Sequence, residues 1–460
     1  MNYADFVATK LSTVPPTGIA DGFGLPAGMF PHQNALTAWA LRRGRAAIFA
    51  DTGLGKMRME LAWADAVRKY TKRPVMIHTP LAVAAQLAAE AQKIGVAAKV
   101  CRDASDLTDG INIANYERLH KFDASMFGGV VLDESGCIKH HDTKTFQSLT
   151  AAYRDTPFKL PATATPAPND WTELGTHAEF LGICTRAEML AEFFTHDGGD
   201  TSVWRLKGHA RSIFWRWVAT WGAMIRKPSN LGFDDGAYNL PALHLHEHHV
   251  SYELPLNGML FAAEAQSLSE RREARRASVE DRVRECAALV NAESAEPWIV
   301  WCDLNSEGDA LTKAIDGAVQ IAGADSVEVK EQRLQDFSEG RVRVLVSKPS
   351  ICGWGLNWQH SARMAFVGVT DSYEAYYQAV RRCWRFGQTR DVHVHIFASK
   401  AEGAVVSNLK RKEREAGEMA DALSAETQAA VMAEVTGTVR ETNSFNSSRP
   451  VTVPAFLEAA

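Results

Sequence analysis

Residues 46–61 read AAIFADTGLGKMRMEL. The run 46–50 is apolar without interruption, the pattern of a strand buried on both faces. Two glycines then break the chain, and residues 57–70, MRMELAWADAVRKY, carry a helical pattern. A strand, a glycine turn and a helix in that order let successive backbone N–H groups and the helix N-terminus converge on a phosphate. Gly53 and Gly55 allow the backbone to curl, and Lys56 is placed to reach β and γ phosphates. Asp51, Thr52, Gly53, Leu54, Gly55, Lys56 and Met57 are therefore the expected phosphate loop. One position departs from the pattern. The residue after the lysine should offer a hydroxyl to Mg²⁺, and here it is Met57. A thioether is a poor ligand for a hard cation. Either the metal relies on other ligands and waters, or nucleotide turnover is impaired.

Working outward, short apolar runs alternate with helical stretches from residue 46 to about 174. Strands are expected at AAIFA (46–50), PVMIHT (74–79), INIAN (111–115), GVVLD (129–133) and FKLPAT (158–163). This alternation predicts a parallel α/β sheet. Residues 175 to about 235 read as helical and tryptophan-rich. An extended run, LPALHLHEHHVSYEL (240–254), and a charged helical stretch follow. A second alternation has strands expected at WIVWC (298–302), VRVLVSK (342–348), RMAFVGV (363–369) and VHVHIF (392–397). The expected organisation is a lead-in (1–30), a first α/β lobe (31–180), a helical insertion and linker (181–290), a second lobe (291–400), and a C-terminal helix and tail (401–460). GVVLDES ends an apolar strand on Asp133 and Glu134. An aspartate there can hold Mg²⁺, and the adjacent glutamate can orient or deprotonate a water.

The chain has 460 residues and a formal net charge of −5, so nucleic acid would have to be held by a local basic groove rather than by bulk charge. Its seven cysteines are scattered without a C-x-x-C pair, which argues against a disulfide framework or a zinc ribbon. There is no basic-then-apolar leader and no membrane-length apolar run. A cytoplasmic protein, bacterial or in a phage-infected host, is the expectation, with no membrane association.

The order of motifs resembles that of superfamily 2 helicases, and within them the Swi/Snf-type helicase-like ATPases, especially compact forms from phages and mobile elements. Gln33, in FPHQNALTAWAL, sits where that family has its adenine-reading glutamine. ADTGLGK, IHTPLAVAAQLAAE with Thr79 and Pro80, NYERL with Asn115, and DESGCIK follow in the family's order. In ATATPAPND, Thr163, Thr165, Pro166 and Asn169 match and Ala164 replaces a glycine. SKPSICGWGLNWQHS resembles the block ending in G-L-N, with Gly353, Gly355, Leu356 and Asn357 in register. In YYQAVRRCWRFGQTRDVHV, Gln378, Arg382, Arg385, Gly387 and Gln388 match.

The resemblance implies two RecA-like lobes that bind ATP and Mg²⁺ between them, with Asp133 on the metal. Lys56, Asp133, Glu134, Arg382 and Arg385 would be catalytic, and Gln33, Gly355 and Gln378 would join the phosphate loop in holding nucleotide. Arg382 and Arg385 are three apart and share a helix face, so from the second lobe they can act as arginine fingers. Thr79, Pro80, Asn115, Thr163, Thr165, Ser347 and Lys348 would contact nucleic acid or couple it to ATP. Phosphate contact of that kind carries little sequence readout. The expected function is a nucleic-acid-stimulated ATPase that translocates on double-stranded DNA. The alternatives are a strand-separating DNA or RNA helicase, and a weakly hydrolysing, ATP-responsive DNA-binding subunit. A protein partner for recruitment fits the lack of a recognisable appended module. His244, His246 and His248 alternate on one strand face, but the resemblance places them where no zinc is expected. Trp217 and Trp221, four apart, fit a helical core face better than a base-stacking platform. The arginine-rich run 271–284 reads as a solvated helix.

Overall fold

The computed structural model describes residues 14–80, 83–197, 200–250, 276, 278–352, 357–368, 372–399 and 403–435. The first lobe is built on a seven-stranded sheet. Its strands are β1 (Ala47–Ala50), β2 (Val75–Thr79), β3 (Ala98–Val100), β4 (Ile111–Asn115), β5 (Gly129–Asp133), β6 (Phe158–Ala162) and β9 (Gly222–Ile225), in the order β3-β4-β2-β5-β6-β1-β9. Every pairing in it is parallel. Full burial of β1, β2, β4, β5 and β6 explains their unbroken apolar runs. Helices cover both faces. One side packs on Trp39, Trp63 and Leu87, the other on Phe146, Phe180 and Trp221.

Between β6 and β9 the chain forms a hairpin, β7 (Phe194–Asp197) with β8 (Asp200–Leu206), and the helix Arg211–Val218. Trp215, Trp217 and Trp221 are buried in the first lobe's core. Strand β9 lies inside the segment expected to be a helical insertion, yet it pairs with β1 over Ala47↔Gly222 to Ala50↔Ile225. Four residues in a tryptophan-rich context are too short to register as a strand by periodicity.

The second lobe carries a six-stranded, all-parallel sheet. Strands β10 (Leu243–Val250), β11 (Trp298–Cys302), β12 (Ala318–Ile321), β13 (Val344–Ser347), β14 (Arg363–Val367) and β15 (Val392–Ser399) run in the order β10-β15-β14-β11-β13-β12. Its fold is therefore the same kind of layered α/β unit as the first lobe, with apolar packing on both sheet faces. The edge strand β10 belongs to this sheet, so the segment between the lobes contributes a strand to each.

The histidines of β10 meet those of β15 across that edge. His246 Nε2 lies 3.0 Å from His393 Nδ1, and His248 Nε2 lies 3.0 Å from His395 Nδ1. The rings stack along the ladder, with His246 and His395 centroids 4.5 Å apart. Each such bond needs one donor and one acceptor nitrogen, so at least one ring of each pair must be a neutral imidazole. The ladder thus ties the edge strand β10 to β15.

The helix Gly403–Val435 leaves the second lobe and returns to the first. Thr427 Oγ1 accepts a hydrogen bond from the Met224 amide at 2.9 Å, and Glu418 pairs with Arg211 at 3.2 Å. Among the described residues, no helix is long and apolar enough to cross a membrane.

Candidate active site

Parallel sheets present their functional residues beyond the C-terminal strand ends, where loops and helix N-termini gather. Both lobes follow this rule. The phosphate loop leaves β1, Thr79 ends β2, Asn115 ends β4, Asp133 ends β5, and Thr163 follows β6.

Gly53 and Gly55 have φ of 88° and 84°, a region open to glycine and costly for other residues. Gly55 caps the helix Lys56–Thr71. The Lys56 ammonium folds back onto the Ala50 carbonyl at 3.0 Å and is buried. Gln33, on the helix Pro31–Arg43, donates from Nε2 to the Leu54 carbonyl at 3.0 Å, and its Oε1 accepts from the Phe30 amide at 3.0 Å. A side chain at position 55 would collide with Gln33 Nε2 at 2.2 Å. The glutamine is therefore seated on the loop itself. Met57 is half-buried and packs on the apolar side of the helix.

Asp133 is buried at the end of β5, and its Oδ2 accepts a hydrogen bond from Thr79 Oγ1 at 2.7 Å. Burial, with help from the Glu134 charge, pushes its carboxyl up to about 6. Glu134 takes the left-handed conformation at φ 53°, one of two described non-glycine residues with positive φ. Such a backbone costs energy and concentrates at functional positions. The Thr163 hydroxyl lies 3.4 Å from Glu134 Oε2, and Thr163 Oγ1 accepts from the Thr165 amide at 3.2 Å. Thr79, Thr163 and Thr165 are all buried, so they sit with the acidic pair rather than on an open surface. Pro80 is half-buried, and Asn115 is nearly buried with its side-chain Oδ1 lacking a partner.

The second lobe supplies the facing wall. Arg382 is fixed by Gln378: its Nε donates to the Gln378 carbonyl at 2.9 Å and its Nη2 to Gln378 Oε1 at 3.0 Å. Burial and the proximity of Arg385 lower the Arg382 guanidinium to about 9. Burial, then the Arg381 charge, lowers Arg385 to about 10. Both remain cationic at neutral pH, and both lie within electrostatic reach of Glu134 across the cleft. Two desolvated guanidinium groups that repel each other are a site prepared for an anion. Ser347 is buried and donates to the Ile321 carbonyl at 2.9 Å; Lys348 beside it is half-buried. Gly355 lies outside the described residues.

Residues 281–387 match the helicase conserved C-terminal domain family. That stretch of the second lobe is similar to helicase C-terminal domains. The matched segment runs through the second lobe from the helix Val279–Ala292 to the arginine pair. Among solved structures, the Sulfolobus solfataricus SWI2/SNF2 ATPase core in complex with dsDNA is similar at 17% identity, covering 91% of this chain and 97% of that one, with a TM-score of 0.42. No curated protein sequence matches the chain.

Several residues that shape the cleft were not anticipated from sequence. Arg381, the first arginine of RRCWR, donates from Nη2 to Asp51 Oδ2 at 2.5 Å, with both side chains buried. The Tyr377 hydroxyl bonds to the other oxygen of Asp51. Phe386 lies over the phosphate loop, 3.0 Å from where a side chain at Gly53 would begin. Lys139 reaches across to Glu374. A cleft of about 380 Å³ opens beside the loop, lined by Asp51, Thr52, Leu54, Tyr238, Arg381 and Phe386 among others. Glu60, one turn beyond Lys56, is fully buried, and burial and then Asp133 push its carboxyl well above the usual range. A glutamate among apolar residues of an otherwise ordinary helix was the one available clue to it.

Proposed function

We propose that this chain is an ATP-driven nucleic-acid motor of the compact Swi/Snf type that tracks double-stranded DNA without parting its strands. The observation that carries the proposal is the split cleft. Lys56, Asp133 and Glu134 line it from the first lobe, and Arg382 and Arg385 face them from the second.

Phosphoryl transfer needs charge stabilisation on the transferred group more than covalent chemistry. Lys56 is poised to leave the Ala50 carbonyl for a phosphate oxygen. Glu134 would orient the attacking water and take its proton. Arg382 and Arg385 would neutralise the charge that develops on the γ-phosphoryl oxygens. Mg²⁺, when bound, would offset the charge on the phosphate oxygens. The residues fit such an ion on chemical grounds, since the carboxyl groups of Asp133 and Glu60 are hard oxygen donors within reach of each other. Met57 is not.

Because the arginines come from the other lobe, hydrolysis is tied to closure, and closure moves whatever each lobe grips. The Thr79–Asp133 and Thr163–Glu134 contacts support a coupling role, since they join strand ends to the acidic pair. Pro80, Asn115 and Lys348 are the proposed backbone grips, with a recruiting protein partner outside the chain. Duplex tracking rests on the resemblance of the motifs to the Swi/Snf type. Met57 specifically favours a second reading, in which the chain binds ATP and DNA but hydrolyses slowly.

The test is steady-state ATPase turnover without nucleic acid and with duplex DNA, single-stranded DNA or RNA. Stimulation by duplex above the other three is expected. Equal stimulation by single strands would favour strand separation. Turnover no higher than that of Lys56→Ala, with DNA binding intact, would favour the slow subunit.

A further inference from the structure

Glu60 has no explanation in the chemistry described so far. Its side chain is fully buried, and what it meets is a second buried acid: Glu60 and Asp133 lie within hydrogen-bonding reach of each other. Two carboxyl groups buried side by side next to a phosphate-loop lysine are costly and call for a role. Glu60 faces Asp133, Lys56 and Glu134, the three first-lobe groups of the proposed ATP site.

Its place on the helix is informative. Positions 57 and 60 are three apart and share a face. The hydroxyl that normally meets the metal is missing at the first of them, Met57. Position 60 lies about 4.5 Å further along the axis. Helical side chains lean toward the N-terminus, so a residue there projects back toward the phosphate loop. A glutamate is also longer than a serine or threonine by two bonds, which makes up much of the distance. Lys56, four residues earlier, lies above the same turn.

We infer that Glu60 is the second carboxylate of the metal site, supplying from one turn deeper the oxygen that Met57 withholds. The inference rests on the ATP reading of the cleft. Mg²⁺ at nucleotide sites commonly takes one or two carboxylates and completes its shell with phosphates and waters. That division fits here. Among the described residues, no group of three or more histidines, cysteines or acidic residues is arranged to hold a metal unaided.

The experiment measures the affinity of a non-hydrolysable imido analogue of ATP for the full chain, once with Mn²⁺ and once in EDTA. The ratio of the two affinities reads the metal's contribution separately from nucleotide binding and from turnover. For Glu60→Gln the ratio should fall about tenfold or more, the loss typical of a weakened metal shell, with affinity in EDTA unchanged. Adding Met57→Thr to Glu60→Gln should restore the ratio, while Met57→Thr alone should change it little because Glu60 already serves. A Glu60→Gln ratio equal to wild type would overturn the inference. So would a large gain from Met57→Thr alone, a result that does not depend on how Glu60 variants fold. A purely structural glutamate would change the melting temperature without changing the ratio. Failure of the wild-type chain to bind the analogue with or without Mn²⁺ would instead overturn the ATP reading itself.

Discussion

Replacing Arg381 with methionine removes one half of an ion pair that crosses the cleft. The partner, Asp51, stands at the mouth of the phosphate loop. The two side chains are 5% and 8% exposed and 2.5 Å apart, so neither is well hydrated when the lobes are closed. Breaking one partner of a buried pair costs about 3–5 kcal/mol, because the remaining charge is stranded. Asp51 would keep the Thr52 amide, at 2.6 Å, and the Tyr377 hydroxyl, which places the cost near the lower end. Arg381 also lies 4.4 Å from the Trp384 ring centroid, a cation–π contact that stays within the second lobe in either state. When the lobes part, Asp51 meets water. The whole penalty therefore falls on the closed state. About 3 kcal/mol corresponds to roughly a hundredfold shift toward the open state, at about 1.4 kcal/mol per factor of ten. Fluorescence transfer between dyes on the two lobes should show the long-distance population rise in Arg381→Met, and Asp51→Asn should act in the same direction. Each lobe's own core is untouched, so melting should change little. Unchanged inter-lobe distances in Arg381→Met would refute the idea that this pair holds the cleft shut.

Gly55→Ala should cripple nucleotide binding while leaving the chain folded. It places a Cβ 2.2 Å from Gln33 Nε2 and forces φ 84° on a residue that resists it, at about 1–2 kcal/mol; nucleotide titration and a thermal melt check the two halves. Stability should also fall in mild acid. Burial lowers His78 and His177 to about 4, whereas unfolded histidines titrate near ~6.5. The unfolded chain then binds more protons between those values, so their contribution is complete above about 6.5 and is lost as pH drops toward 4. Burial, reinforced by repulsion between neighbouring imidazoles, lowers His395 in the β10–β15 ladder to about 3, and it acts in the same sense. The raised Glu60 and Asp133 pair acts oppositely but is outnumbered. Urea midpoints at pH 7.5 and pH 5 test the sign, and a higher midpoint at pH 5 would contradict it.

What could be seen in the sequence was what burial writes into it. Strands such as VMIHT, INIAN and GVVLD are covered on both faces, so their apolar runs are continuous and easily recognised. The edge strands are different. β3 and β12 are partly exposed and only three and four residues long, and the hairpin β7–β8 interrupts a segment with helical character. Runs so short and so partly covered carry no clear periodicity to read. The same applies at the cleft. Lys56, Asp133, Glu134, Arg382 and Arg385 could be singled out as candidates because each sits in a local motif. Arg381–Asp51 and Glu374–Lys139 join residues hundreds of positions apart, and no local pattern marks them. Thr79 and Thr163 were expected to contact nucleic acid or couple it to ATP; that their hydroxyls lie against the acidic pair depends on side-chain direction at the strand ends, which no local pattern records.

The central claim is that one ATP site is divided between the lobes, and Arg385→Ala tests it most directly. Nucleotide affinity and duplex-stimulated turnover should be measured side by side on this variant and on Lys56→Ala. Lys56→Ala should lose both. Arg385→Ala should retain affinity within a few-fold while turnover falls by about 10³ or more, the contribution of an arginine that meets the phosphoryl group only in the closed state. Wild-type turnover in Arg385→Ala would contradict the account.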